Sequence, residues 1–260
     1  MILATHGIIS SYVGVDIDAQ AFITATGITD TTQKSAINKL VLDLKSYSIW
    51  AKFKAIYPFV GGTATTHKFN LKDPRDLDVA FRLSFINGWT HSSTGAKPNG
   101  TDAYANTFLT PLGTLSQNST HVSIYSRTDN NNTTPLISDQ AGLSDVLNIF
   151  PRYSGSNDVY IRVNSSPTAS LTTKSTSTGL YVANRVSSSE TRNNINNTLY
   201  TQSSTSTGLN SSSIWLSRQG GGYDNREQAF ASLGNGLTDT DASNFYNAVN
   251  AYQVALSRNV

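Results

Sequence analysis

The residues best suited to chemistry in this chain are its carboxylates, and their arrangement limits what they do. Three aspartates cluster in Lys72-Asp73-Pro74-Arg75-Asp76-Leu77-Asp78. On extended backbone Asp76 and Asp78 point to one side, and paired carboxylate oxygens suit a hard cation such as calcium. The segment lacks the loop length and central glycine of an EF-hand. It also reads as a plain turn, opened by Asp73-Pro74 with Arg75 pairing locally. The turn is the simpler reading, and a calcium site at Asp76 and Asp78 is the alternative.

Glycoside hydrolysis needs two carboxylates facing each other across a sugar. The chain has only two glutamates, Glu190 and Glu227, in separate segments. The Glu-x-Asp-x-Glu strand of laminarinase-type enzymes is absent. The histidines His6, His67, His91 and His121 are widely scattered, and zinc needs convergent ligands. Serines are abundant, but no Gly-x-Ser-x-Gly elbow presents one as a nucleophile. No catalytic set emerges, and the expectation is a protein that is not an enzyme, with a glycan hydrolase as the third reading.

Two aromatic pairs suit binding instead. Tyr223 and Asp224 follow the glycines Gly220-Gly221-Gly222, and Trp89 stands near His91 in Asn87-Gly88-Trp89-Thr90-His91. An aromatic face beside a polar group offers a sugar both apolar contact and hydrogen bonds. The competing reading is that the tryptophans Trp50, Trp89 and Trp215 pack in the core or between layers. The glycine run does not read as a phosphate cradle, because that needs a helix N-terminus behind it and a strand follows here.

The elements that must position these residues are mostly short strands. Alternating apolar runs begin at Val79, Val122, Val159, Leu180 and Ile214, separated by Gly, Asn, Ser and Thr. Trp215 falls opposite Ile214 and Leu216, on an outer face. Helical spacing appears at both ends. Ile37, Leu40, Val41 and Leu44 follow the capping pair Asp30 and Gln33, and a shorter helix over 18–26 stops at Gly27. Phe245, Val249, Tyr252 and Leu256 follow the capping box of Thr238 and Asp241. The pattern predicts a mainly β antiparallel jelly-roll sandwich with N-terminal helices and a C-terminal helix packed on it. It divides into a helical segment 1–50, a connector 51–78, the sandwich 79–237 and the helix 238–260. The terminal helices are expected to lie together against one sheet.

Composition narrows the class further. Charged residues make up 14% of the 260, and the formal net charge is +2, with no basic stripe for nucleic acid. There are no cysteines, which removes disulfides and thiolate sites. No apolar run reaches the length of a membrane span. The stretch Met1 to Gly7 lacks the basic n-region of a secretory leader.

Three segments together resemble a known family. They are Ala55–Gly62 with His67–Pro74, Asn87–Gly95, and Phe230–Ala242. The set is similar to phage and prophage virion-associated proteins that carry a concanavalin A-like, laminin-G-like jelly roll, and the likeness runs over about residues 16–260. It implies a structural virion component, such as a capsid decoration, tail or fibre-associated protein. The implied partners are other virion proteins and sister copies in a homo-oligomer, folded in a bacterial cytoplasm before assembly. It carries no catalytic residues onto these positions. A glycan-binding adhesion module for host or environmental polysaccharide, using Trp89, His91, Tyr223 and Asp224, is the second reading.

Overall fold

The computed structural model describes residues 14–139, 146–166 and 169–260. The Met1 to Gly7 stretch and His6 lie outside the described residues. The fold is a mainly β antiparallel jelly-roll sandwich with helices from both ends of the sequence, as the alternation and capping signals predict.

The helices begin and end where their caps dictate. Asp30 accepts from the Gln33 amide at 2.8 Å and starts the helix Thr31–Ser46. The preceding helix, Ile17–Thr26, ends at Gly27, which takes the left-handed φ of 67° that favours glycine. Thr238 and Asp241 exchange bonds in a full capping box at the head of Asp239–Ala255. No helix among the described residues is long and apolar enough to cross a membrane.

Two sheets form the sandwich. The larger runs Thr198–Ser203, Glu190–Ile195, Gly179–Arg185, Thr120–Ser126, Gln228–Gly234, Gly95–Pro98, Trp89–Ser92, and Phe53–Tyr57 also pairs with Gln228–Gly234. The smaller runs Thr172–Thr173, Asp158–Ser165, Val146–Phe150, Ile137–Asp139, Ile214–Leu216, Tyr104–Asn106, Ser84–Ile86.

Period-two alternation sorts the larger sheet's side chains into two cores. Val122, Ile124, Tyr181, Ala183, Ala231 and Leu233 face the smaller sheet. Tyr125, Leu180, Val182 and Phe230 face the helices, against Ile37, Leu40, Leu44, Phe245 and Val249. The central strands Gly179–Arg185, Thr120–Ser126 and Gln228–Gly234 therefore form a middle layer buried on both sides. The segment Phe53–Tyr57 joins it fully, with Ala55 and Tyr57 toward the sandwich and Phe53 and Ile56 toward the helices.

One expected strand is corrected. The alternation from Val79 to Phe85 yields strand only at Ser84–Ile86. Asp78–Ala80 is a 3-10 turn, Phe81 has a φ of 57°, and Val79 is 74% exposed. The cause is local pairing: Arg82 reaches back to Asp78 at 2.7 Å and Asp76 at 2.9 Å, while the Tyr57 hydroxyl donates to the Phe81 carbonyl at 2.6 Å.

Candidate glycan-binding face

The helices cover the outer face of the larger sheet; the outer face of the smaller one carries a different kind of surface. In Asp158–Ser165, Val159, Ile161 and Val163 point into the sandwich, which leaves Tyr160 and Arg162 outside. In Val146–Phe150, Leu147 and Ile149 point inward and Asn148 and Phe150 outward. Ile214 and Leu216 place Trp215 outside in the same way.

Strand register aligns these outward residues. Arg162 lies opposite Asn148, Asn148 opposite Ser138, Ser138 opposite Trp215, and Trp215 opposite Asn106. With strands spaced about 4.8 Å apart, Arg162 and Trp215 stand roughly 14 Å from one another. Along this row Arg162 Nε, Asn148 Oδ1 and Trp215 Nε1 are enclosed without a hydrogen-bond partner. An orphaned buried polar atom costs about 1–3 kcal/mol. Asn148 and Ser138 have no exposed surface, so the row meets solvent only toward Arg162 and Trp215 at its two ends.

Aromatic rings flank both ends of the row. Phe150, Tyr153 and Tyr160 meet edge to face with centroids 5.5–6.3 Å apart, and the Arg162 guanidinium lies 5.7 Å from the Tyr160 ring. With Thr133 they line a cleft of about 360 Å³. At the other end Tyr104 and Trp215 lie 4.8 Å apart, and the Arg218 guanidinium covers Trp215 at 4.4 Å and Tyr223 at 5.3 Å. Hollows of about 160–360 Å³ border the helix Thr31–Ser46, but the side chains lining them include no aromatic ring.

The pair Tyr223 and Asp224 divides between surface and interior. Tyr223 sits half-buried on the hairpin Arg218–Gln219 and Gly222–Tyr223, whose two-residue turn uses Gly220 at a φ of 57°. Gln219 of this hairpin approaches Asn148 at 3.5 Å, so the hairpin borders the row. Asp224 has no exposed surface, and its carboxylate is taken up by Arg226. It supports the hairpin from below, and the surface beside Tyr223 is provided by Arg218.

Trp89 and His91 belong to a half-buried aromatic cluster, whose Phe85 and Trp89 pack against the sandwich core. Trp89 Nε1 donates to the Tyr104 carbonyl at 3.0 Å, and its ring meets Phe85 at 5.1 Å. His91 is joined to His67, Nδ1 to Nδ1, at 2.9 Å. His67 Nε2 accepts from the Gly62 amide at 3.2 Å, so the shared proton sits on His67 Nδ1. Burial, then the neighbouring His91 and Arg258, lower the His67 pKa to about 3. Sequence spacing gives no hint of this contact, which joins two segments of the chain only in the fold.

Asp76 and Asp78 do converge, but on Arg82, with Lys68 also on Asp76. Their charge is met internally, and no group of three or more potential metal ligands occurs among the described residues. Trp50 is covered by Lys72, whose amine lies 3.6 Å from the ring. The residues that sequence reasoning misses are Phe150, Tyr153, Tyr160 and Arg162. Their signal is the character of the outward positions: in Val159 to Val163 these carry Tyr and Arg, where a merely solvated face would carry Ser or Thr.

No family model and no curated relative matches the sequence. Solved structures do match in fold. A mutant Trypanosoma rangeli sialidase displaying trans-sialidase activity aligns with a TM-score of 0.53 at 9% identity, over 82% of this chain and 39% of that one. The same organism's sialidase in complex with sialic acid gives 0.53 at 8% identity, over 81% and 38%. The binding domain of botulinum neurotoxin DC, in complex with rat synaptotagmin II, gives 0.50 at 12% identity, over 77% and 52%. At these identities the likeness is one of fold, and the chain spans well under half the length of the sialidases.

These matches correct one expectation. The lack of a Glu-x-Asp-x-Glu strand predicts a protein that is not an enzyme. The fold is instead one found within sialidases, so a missing laminarinase motif no longer argues against enzymatic chemistry.

Proposed function

We propose that this chain is a glycan-binding β-sandwich module whose ligand lies along the outer face of the smaller sheet. The observation that carries the proposal is the pair of half-buried aromatic clusters at the two ends of the row, each with an arginine against its rings. Sugar rings present apolar faces to aromatic side chains and hydroxyls that both donate and accept. The occurrence of the fold within sialidases supports a glycan-related role.

The test is binding of the purified chain to a panel of bacterial and environmental polysaccharides, with Tyr160→Ala and Trp215→Ala as variants. Binding by the wild type that both variants weaken supports the face. Equal binding by wild type and variants moves the site elsewhere. Assaying the same samples for released sugar separates a binding face from a hydrolytic one.

The setting we propose is a bacteriophage particle, as a capsid decoration, tail or fibre-associated protein. The support is the resemblance of Ala55–Gly62, Asn87–Gly95 and Phe230–Ala242 to virion-associated proteins. Immunogold labelling of purified particles tests it: label on the head or on the tail supports the setting, and unlabelled particles overturn it.

A further inference from the structure

The cleft of Phe150, Tyr153, Tyr160 and Arg162 contains a cation with no counter-charge among the described residues. Most arginines of the described residues are satisfied by protein. Arg75, Arg82, Arg127, Arg152, Arg192 and Arg226 pair with carboxylates. Arg185 and Arg258 are fully buried and spend their donors on backbone carbonyls and on Ser204 and Gln253. Arg218 donates to the Gly220 carbonyl at 3.2 Å. The side chain of Arg162 alone makes no hydrogen bond and no ion pair among the described residues, and its Nε is enclosed and unpartnered.

Its surroundings sharpen the contrast. Burial pushes the Arg162 pKa down, and the groups that act on its charge are the hydroxyls of Tyr160 and Tyr153, with no carboxylate among them. The carboxylate of Asp158 accepts from the Tyr160 hydroxyl at 3.5 Å. Arg152, the other cation nearby, is engaged by Asp129 at 2.8 Å. A half-buried guanidinium that meets no anion among the described residues suits an anionic ligand. A guanidinium edge matches a planar carboxylate with two parallel bonds. A single cation balances a single negative charge.

We infer that the cleft takes an acidic saccharide, with Arg162 binding the carboxylate of one sugar while Tyr160 and Phe150 hold the ring. The inference rests on the glycan-binding reading and adds the charge of the ligand to it.

The experiment compares matched ligands on the full chain by calorimetry. Oligogalacturonate represents uronic acids and oligosialic acid represents nonulosonic acids, each measured beside its carboxyl-reduced form. Wild type is expected to prefer at least one acidic ligand over its reduced partner by about tenfold or more, as loss of a charged hydrogen bond implies. Which arm shows the preference identifies the acid. Arg162→Gln should erase the preference, lowering affinity for the acidic ligand about tenfold more than for its reduced form, and Arg162→Lys should restore only part of it. Affinity of wild type for the acidic ligand should also fall as salt rises, a reading that does not depend on any variant folding. Equal wild-type affinity for acidic and reduced ligands overturns the inference and leaves the glycan-binding reading standing. A preference that survives in folded Arg162→Gln overturns it as well. Binding to a sulfated oligosaccharide with none to either carboxylate series overturns the carboxylate assignment. Failure to bind any saccharide, charged or reduced, ends both readings.

Discussion

Asp224 and Arg226 face each other as an ion pair with neither side chain exposed to solvent. Arg226 Nε donates to the two carboxylate oxygens at 3.1 and 3.0 Å, and Arg226 Nη2 donates to the Thr134 carbonyl at 3.1 Å. The pair thus ties the hairpin that carries Tyr223 to the segment leading into the smaller sheet.

Removing one partner of such a pair leaves a buried charge uncompensated. Asp224→Ala should therefore cost about 3–5 kcal/mol of stability. Replacing both by apolar residues should recover most of that loss. Urea melts of the single and double variants check this. A single variant within about 1 kcal/mol of wild type contradicts the assignment, because a surface pair is worth no more than that.

Two buried histidines make stability depend on pH. An unfolded histidine titrates near 6.5, whereas burial lowers His121 to about 4 and burial with neighbouring charge lowers His67 to about 3. Above about pH 7 both rings are neutral in either state and contribute no pH dependence. As pH falls through 6.5, the unfolded chain takes up protons that the folded chain refuses, so stability declines until the pH reaches the folded values. His121 accounts for about 3 kcal/mol over its window. Denaturation midpoints should fall steadily from pH 7 toward pH 4. A midpoint that stays flat down to pH 4.5 would show that the rings titrate normally.

The cap of the C-terminal helix is also measurable. The Thr238 hydroxyl accepts from the Asp241 amide at 3.2 Å, and the Asp241 carboxylate accepts from the Thr238 amide at 2.8 Å. Thr238→Ala should cost about 1 kcal/mol. Asp241→Asn should cost more than Thr238→Ser, because Asp241 also binds Lys52 at 2.6 Å. Thermal melts rank the three variants, and the reverse order would place the energy in the threonine.

Ring contacts on the proposed binding face should separate affinity from stability. Tyr160 and Trp215 point away from the sandwich core, whereas Trp89 packs against it, so truncating Tyr160 or Trp215 removes little of the core. Tyr160→Ala and Trp215→Ala should each weaken glycan binding by about 1–3 kcal/mol, the range for truncating interface anchors. Trp89→Ala should instead lower the melting temperature, since its indole packs on Phe85 and bonds Tyr104. Loss of binding in a folded Trp89 variant would move the site back to that loop.

Much of the framework is legible in the amino-acid sequence, because it rests on local rules. Caps at Asp30, Gly27 and Thr238 sit where their residue types require, and the alternation around Ile161 and Ile214 gives the correct inward faces. The run from Val79 misleads because pairing by Arg82 outweighs an alternation only a few residues long. The face around Arg162 is harder to see, since it depends on register between strands far apart in sequence. Periodicity says that Tyr160 and Arg162 share a side. It does not say that Asn148, Ser138 and Trp215 continue that side across the sheet. The pairing of His67 with His91 is hidden for the same reason.

The strand Phe53–Tyr57 completes its ladder only with Gln228–Gly234, and the helix Thr31–Ser46 rests on Asp239–Ala255. Early segments thus wait for late ones. A ribosome must release nearly all of this sequence before the middle layer can be covered on its helical side. Until then Ile37, Leu40 and Leu44 have no sheet to lie on. Partners so distant along the chain make folding slow, and the emerging polypeptide exposes apolar surface for most of its synthesis, which makes it a natural client for chaperones.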